Sequence, residues 1–180
     1  MKTITVKSDG NGMVMEWNLE GSGRCEAGIN NPFLEMCLKS FAEASSIDLK
    51  LICSKDIGGE ELMGAMGDLF AEAVCKQCME LEEYGGTGSG IADDAFFPTS
   101  CKLMLPGRTD WVFEMVAHSI KEDSRSITKF FGNLSGRASL CLKFDTYDFS
   151  DRYCERVFYS FGRALKMAYS PASTEWSGMK

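Results

Sequence analysis

The sequence predicts an α+β fold, built as a tandem duplication of a β-β-β-α-β-α half with two sheets and their helices packed together. The first observation is the segment from Phe33 to Val74, whose hydrophobic periods read as helix, strand, helix. The second is the return of the same order of periods in the second half of the chain. The third is a pair of short strand-like runs ahead of each such segment.

The first segment shows both periods clearly. Leu34, Leu38 and Phe41 recur at helical spacing, so one stripe of the first helix is apolar. Residues 47–51 then alternate between apolar and charged side chains, which is typical of a half-buried strand. Two glycines at 58–59 break the chain, and the helical period resumes at Leu62.

The second half repeats this unit 93 positions later, with Phe41 aligned on Leu134. After a loop two residues shorter, Phe70 aligns with Phe161. The predicted half-repeats are 1–83 and 84–180, and they should form one compact unit because neither covers its own sheet alone. The alternative is a chance agreement of periods in an ordinary α/β chain.

Short turn signals define the elements of the first half. Residues 2–6 and 13–19 are predicted strands joined by a turn at 9–12, and a short strand ends at Ala27. Asn31 is expected to cap the first helix, with Pro32 at its first position.

Three further segments complete the second half. The glycine-rich residues 80–90 follow a helix and have no Lys after them, so a linker or hairpin is favoured over a phosphate loop. Residues 100–105 and 111–117 are predicted to form a second hairpin, like the one expected around Gly23. Asp123-Ser124 should cap the third helix, and residues 170–180 should be irregular.

Composition excludes several classes of partner. The 180 residues carry a net charge of −7, which argues against non-specific nucleic-acid binding. No apolar run is long enough to span a membrane, and the first residues do not resemble a signal peptide, so a cytoplasmic location is expected.

The eight cysteines are expected to be reduced. Several lie on apolar stripes, where a free thiol behaves as a small hydrophobe. Cys75 and Cys78 form a lone C-x-x-C that closes a helix. A structural zinc site needs a second pair, and a thioredoxin-like motif opens a helix, so neither chemistry is favoured.

Short motifs along nearly the whole chain resemble imidazoleglycerol-phosphate dehydratase, a family of histidine biosynthesis. W-N-L-E-G-S-G at 17–23 resembles the family's N-L-D-G-T-G, and F-L-E-M-C-L at 33–38 resembles its F-L-D-H-M-L. I-A-D-D-A-F at 91–96 is similar to its P-M-D-E-A-L, L-P-G-R at 105–108 to its L-S-G-R, and P-A-S-T-E at 171–175 to its P-S-T-K. The family is itself a duplicated β-β-β-α-β-α half, so the resemblance implies the same fold.

The resemblance implies two manganese ions held by imidazoles and carboxylates, but the histidines at the matching positions are lost. Transition metals favour imidazole, so this loss argues against a metal cofactor. The sole histidine, His118, lies elsewhere and is expected to be a surface or core residue. Only Glu155 keeps a ligand-type side chain at its family position. The degenerate positions are Met36, Glu60, Glu61 and Gly64 in the first half and Lys129, Asp151, Arg152 and Glu155 in the second.

The phosphate contacts of the family are only partly kept. Arg108, Ser173 and Thr174 match the family's pattern, whereas its other arginine falls on Tyr84 and its terminal lysine on Glu175. One cation and two hydroxyls make a weak site for a small anionic ligand.

Charge offers a replacement for the metals. Partly buried carboxylates need a positive partner, and the degenerate positions include one lysine and one arginine. We therefore expect a cluster of ion pairs in place of the manganese ions, with the cationic groups within about 4 Å of the carboxylates. The family's sites lie between subunits of trimers that build a shell, so the cluster is also a possible interface feature. The alternative is solvated charges at helix starts. The cluster would combine Glu60, Glu61, Asp151 and Glu155 with Lys129 and Arg152.

The sequence thus favours a homologue that has lost manganese and dehydratase activity, acting as a binding or assembly protein or as an enzyme of altered type. It is expected to be a homo-oligomer, a trimer or a larger shell. The alternative is an active hydro-lyase with a carboxylate-only metal site, in which the nearby Lys129 and Arg152 would repel the cation. The fold is also found in small-metabolite kinases and ribosomal proteins, so the fold alone does not decide.

Overall fold

The computed structural model describes residues 3–8, 10–80, 86–105, 112–119 and 125–169. The first half contains β1 (Thr3–Lys7), β2 (Met13–Asn18), β3 (Cys25–Gly28), α1 (Pro32–Ser45), β4 (Asp48–Cys53) and α2 (Gly59–Glu80). The second half contains β5 (Gly86–Ala92), β6 (Thr99–Leu105), β7 (Phe113–Ala117), α3 (Arg125–Ala138), β8 (Cys141–Thr146) and α4 (Asp151–Tyr169).

The two halves have the same topology. Their sheets have the strand orders β1-β2-β4-β3 and β5-β6-β8-β7. In each sheet the last strand of the half pairs antiparallel with the second strand and parallel with the third. Helix α3 begins 93 positions after α1, and β8 begins 93 positions after β4. The predicted α+β fold and its tandem duplication are confirmed. The boundary at 83/84 lies outside the described residues and stays a prediction.

The two predicted hairpins after β2 and β6 are wrong. Strand β3 does not pair with β2, and β7 does not pair with β6, because β4 and β8 lie between them. Each of these central strands is reached only after a helix has crossed the sheet, which makes the β3–β4 and β7–β8 pairs parallel. A turn signal shows where the chain reverses, whereas the partner of each strand is set by this non-local crossover.

From Gly86 onward, the glycine-rich segment predicted as a linker or hairpin belongs to strand β5, the edge strand of the second sheet, and residues 81–85 lie outside the described part of the chain. Its three alternate glycines face α4. A Cβ atom at Gly86, Gly88 or Gly90 would overlap a main-chain carbonyl oxygen of α4. The glycines thus let a helix lie directly on the backbone of a strand, a role that glycine has in sheets where another backbone approaches closely.

The start of α1 matches its prediction. Asn31 is the N-cap, and its side-chain oxygen accepts a hydrogen bond of 3.1 Å from the backbone N–H of Leu34, with Pro32 at the first helical position. The segments predicted to cap the third helix and to form the irregular tail lie outside the described residues.

The helices lie between the two sheets, and the halves join through them. Helix α1 packs on α4, and α2 packs on α3. Aromatic rings bridge both pairs: Phe41 stacks on Phe161 at 5.4 Å between ring centroids, and Phe70 meets Phe130 edge-on at 5.2 Å. All four rings are fully buried. Among the described residues, no helix combines the length and hydropathy that crossing a membrane requires.

Candidate functional site

The degenerate family positions fall on the two helix pairs. The α1–α4 pair places Met36 and Glu155 on one cleft, and the α2–α3 pair places Gly64 against Lys129. In each pair, the family position on the first helix of one half therefore meets the family positions on the second helix of the other half. We call these the α1–α4 site and the α2–α3 site. The α1–α4 site contains Met36, Asp151, Arg152 and Glu155, and the α2–α3 site contains Lys129, Glu60, Glu61 and Gly64.

At the α2–α3 site a lysine covers a glycine. A Cβ atom added to Gly64 would lie 3.2 Å from Cε of Lys129, so the lysine side chain lies directly over this position. Beside it, Nδ2 of Asn133 donates to the carbonyl oxygen of Gly64 and to Oδ1 of Asp68, both at 3.1 Å. The place of the family's second-half histidine is thus occupied by an aliphatic chain with a cationic end.

Glu60 pairs with a different cation from the one predicted. Its Oε1 lies 3.7 Å from Nε of Arg125, and both side chains are more than half exposed. Exposed pairs of this length contribute little to stability. The carboxylate is therefore a solvated charge at the start of α2, as in the alternative reading of the sequence.

At the α1–α4 site, Glu155 is held by a serine. Oγ of Ser40 donates to Oε1 of Glu155 at 2.7 Å. Ser40 is buried and Glu155 is half-buried. A cleft of about 410 Å³ on one side includes Met36. A second cleft of about 350 Å³ on the other side includes Tyr159 and Arg163. Both clefts share Ser40 and Glu155 as lining residues.

Arg152 turns away from the α1–α4 site toward Asp94. The side chain of Asp94 has no exposed area and pairs with Arg152 and with Nη2 of Arg156, the latter at 2.8 Å. It also accepts hydrogen bonds from the backbone N–H groups of Phe96 at 2.8 Å and Phe97 at 3.2 Å. These two N–H groups, that of Phe96 first, and then the two guanidinium groups, lower the pKa of Asp94 against the opposing effect of desolvation.

The predicted ion-pair cluster is therefore wrong within a single chain. Arg152 bonds Asp94, Glu60 pairs with Arg125, and Glu155 accepts from Ser40. The physical reason is that the six charges are divided between two helix pairs, each of which has other partners at hand. A cluster between subunits stays a prediction.

The residues at the family's metal positions do not fit a manganese site. Four of the eight positions present a thioether, a glycine, an ammonium and a guanidinium, and the other four present carboxylates, where the family has six imidazoles and two carboxylates. Within the described ranges, no group of three or more His, Cys, Asp or Glu side chains could hold a metal ion. His118 follows β7, is half exposed, and has Nε2 at 2.9 Å from Oδ1 of Asp145.

The cysteines are free thiols in the structure. Cys75 and Cys78 lie in the last turns of α2, as the sequence predicts. Burial raises the pKa of both thiols, so they stay protonated at neutral pH. Protonated thiols are poor nucleophiles and poor metal ligands.

Arg108, Ser173 and Thr174, the expected anion contacts, lie outside the described residues, as do Tyr84 and Glu175.

Sequence reasoning also missed residues that shape the site. Asp94 lies in the I-A-D-D-A-F motif, which marked its position without its role. Ser40 and Tyr159 had no signal, because a lone polar residue on a helix does not reveal the helix that packs against it.

Comparison with known proteins places this geometry in a family. No family model matches the chain. The imidazoleglycerol-phosphate dehydratase of Campylobacter hominis is 30% identical over 166 residues, which cover 87% of this chain and 85% of the relative. That of Methanococcus maripaludis is 26% identical over 176 residues, covering 93% and 92%.

Solved structures show the same fold. IGPD from Pyrococcus furiosus superposes with a TM-score of 0.73 at 16% identity, covering 92% of each chain. Imidazoleglycerol-phosphate dehydratase from Staphylococcus aureus gives 0.71 at 14% identity, covering 93% of this chain and 98% of the other. With near full-length relatives of up to 30% identity and this duplicated fold, the chain belongs to the imidazoleglycerol-phosphate dehydratase family.

Proposed function

We propose that this chain is a family member that has lost manganese binding and dehydratase activity and acts as a non-catalytic or altered-function homologue. The main support is the donor set at the family's metal positions, where no imidazole remains. A dehydratase that binds its metal through imidazoles cannot keep that coordination with Met36 and Lys129 in their place.

The alternative is an active dehydratase with a carboxylate metal site. It requires Glu60, Glu61, Asp151 and Glu155 to act together. In one chain these carboxylates belong to separate helix pairs: Glu60 is a solvated charge 3.7 Å from Arg125, and Glu155 accepts a hydrogen bond from Ser40. The geometry of the single chain therefore favours loss of the metal over its replacement.

The test is metal content and turnover on one sample. The full chain and the Campylobacter hominis relative are produced in medium with added manganese, purified without chelators, and analysed by elemental mass spectrometry. We expect the relative to retain manganese and to dehydrate imidazoleglycerol phosphate, and this chain to do neither. Retention of stoichiometric manganese by this chain, or turnover above a blank preparation, would refute the proposed function.

Two further expectations belong to this proposal. A homo-oligomer, either a trimer or a larger shell, is expected from the family resemblance, and light scattering on the same sample measures its mass. A cytoplasmic location also stays a prediction.

A further inference from the structure

We propose that the groove along α4, bordered by Ser40 of α1 and by residues 91–93, binds a small zwitterion whose anionic group lies at Arg163 and whose cationic group lies at Glu155. The inference rests on the proposed function, since it requires that no metal ion engages Glu155. It adds the chemical class of ligand that this site would take.

The first support is the shape of the surface. The two clefts flank the hydrogen bond between Ser40 and Glu155, which forms a wall common to both. Their volumes, about 350 and 410 Å³, lie within the range of small-molecule sites. The groove is thus large enough for a metabolite of amino-acid size.

The second support is the direction of charge along α4. Glu155, Tyr159 and Arg163 follow one another at four-residue spacing, so they lie along one face of the helix. At 1.5 Å per residue, the two charged residues are about 12 Å apart along the helix axis. A flexible linear molecule with its charges at opposite ends is the kind of ligand that spans a separation of this order.

The third support is the hydrogen-bonding capacity left at each end. Ser40 satisfies one oxygen of Glu155, and a carboxylate has a second oxygen with two acceptor sites. Arg163 uses Nη1 to donate to the carbonyl oxygen of Ile91 at 3.3 Å, which leaves other donors of its five. Between them, Tyr159 lines the cleft. Asp93 and Arg156 also line this cleft, and the guanidinium of Arg156 is paired with Asp94. Opposite charges at Glu155 and Arg163 therefore favour a ligand that carries both charges over one that carries either alone.

The α2–α3 site does not offer this arrangement. There the position equivalent to Glu155 is Gly64, and Lys129 covers it. The duplication has therefore diverged, with the carboxylate kept only at the site that borders the two clefts.

The experiment is calorimetric titration of the full chain with 6-aminohexanoate, a flexible zwitterion with its charges at opposite ends. Hexanoate and hexylamine, each with one of the two charges, are the comparison ligands. We expect 6-aminohexanoate to bind at least about tenfold more tightly than either, because charge-assisted hydrogen bonds form at both ends. Equal affinities for the three ligands, or no binding of 6-aminohexanoate, would overturn the proposal.

Variants test the two ends separately. Glu155→Gln should weaken 6-aminohexanoate about tenfold and leave hexanoate unchanged, while Arg163→Gln should weaken 6-aminohexanoate and hexanoate but not hexylamine. Glu26→Gln and Arg24→Gln are matched controls on exposed positions of the first sheet and its flank, and they should change nothing. Circular dichroism confirms that each variant is folded.

The outcome is distinguishable from failure of the proposed function. A metal-free, inactive chain that discriminates none of the three ligands contradicts only the zwitterion site. Manganese in the purified chain contradicts the proposed function, whatever the titration shows.

Discussion

The carboxylate of Asp94, whose side chain has no exposed area, ties the segment after β5 to the first turns of α4. It accepts hydrogen bonds from two backbone N–H groups of its own loop and forms ion pairs with Arg152 and Arg156 of the helix. The cations also lie near the ring of Tyr153, at 5.8 and 6.0 Å from its centroid. This arrangement fixes the loop after β5, which borders the cleft at Asp93, and therefore the shape of the groove.

Replacing Asp94 by Asn should lower the melting temperature by several degrees at pH 7, because the two arginines then lose their anion. The folded-state pKa of Asp94 is lowered below its unfolded value, so its contribution is fully present above the unfolded pKa of about 3.9. That contribution is lost as pH falls through the folded pKa. The difference in unfolding free energy between wild type and variant should therefore shrink in denaturant titrations carried from pH 7 to pH 3.

The neighbouring Asp93 offers the control. It is exposed, and Asp93→Asn should leave the melting temperature at pH 7 unchanged. A difference between wild type and Asp94→Asn that stays constant down to pH 3 would contradict the assignment of the lowered pKa to this carboxylate.

At the scale of elements, the two halves differ most in how their long second helix meets the edge strand. Ile4 faces Trp17, which faces Leu49. In the second sheet the same register puts Gly88 opposite Leu103, and Leu103 opposite Leu142, the equivalent of Leu49. The buried side chain of the first half is thus a glycine in the second, and α4 packs on the strand backbone itself.

Gly88→Ala should destabilise the protein by about 1–3 kcal/mol, the usual effect of overpacking. Its Cβ would overlap the carbonyl oxygen of Ala164, and backbone atoms of a helix cannot move aside as a flexible side chain can. Urea unfolding followed by circular dichroism measures the change. Thr87→Ala, on the exposed face of β5, should remain within about 0.5 kcal/mol of wild type. Similar stabilities for both variants would contradict the close packing of α4 on β5.

These elements also show what the sequence could predict. Helices, the central strands and the 93-residue repeat were predictable because hydrophobic periods are local and both halves repeat them. Strand β5 was missed because Gly86, Gly88 and Gly90 have the composition of a loop, and only the helix above them explains it. The hairpins were wrong because β4 and β8 enter their sheets from distant parts of the chain.

The sequence could place the degenerate positions at helix starts but could not predict their contacts. Family motifs placed the degenerate residues at helix starts, and the structure has them there. The partners of Glu155 and Arg152 lie 115 and 58 residues away, at Ser40 and Asp94. No local pattern reports contacts at such separations, so the sequence reasoning paired the charges with each other.

At the scale of the whole molecule, the halves share one core. Phe41 of the first half stacks on Phe161 of the second, and Phe161 also meets Phe131. Gly162 brings α4 close to α1, since a Cβ there would lie 2.6 Å from the carbonyl oxygen of Phe41. The duplication therefore produced two sheets that depend on one set of helix contacts, and neither half should keep its structure when those contacts are lost.

Phe161→Ala should lower the free energy of unfolding by about 3–5 kcal/mol, the cost of removing a buried ring and leaving a cavity. Because Phe161 contacts both halves, hydrogen exchange at increasing denaturant should show both sheets losing protection at the same concentration, in wild type and variant alike. Met167→Ala, on an exposed position of the same helix, should shift this concentration little. If the first sheet kept its protection after the second had lost it, the halves would be independent domains. The joint core would then not hold the groove along α4 in place.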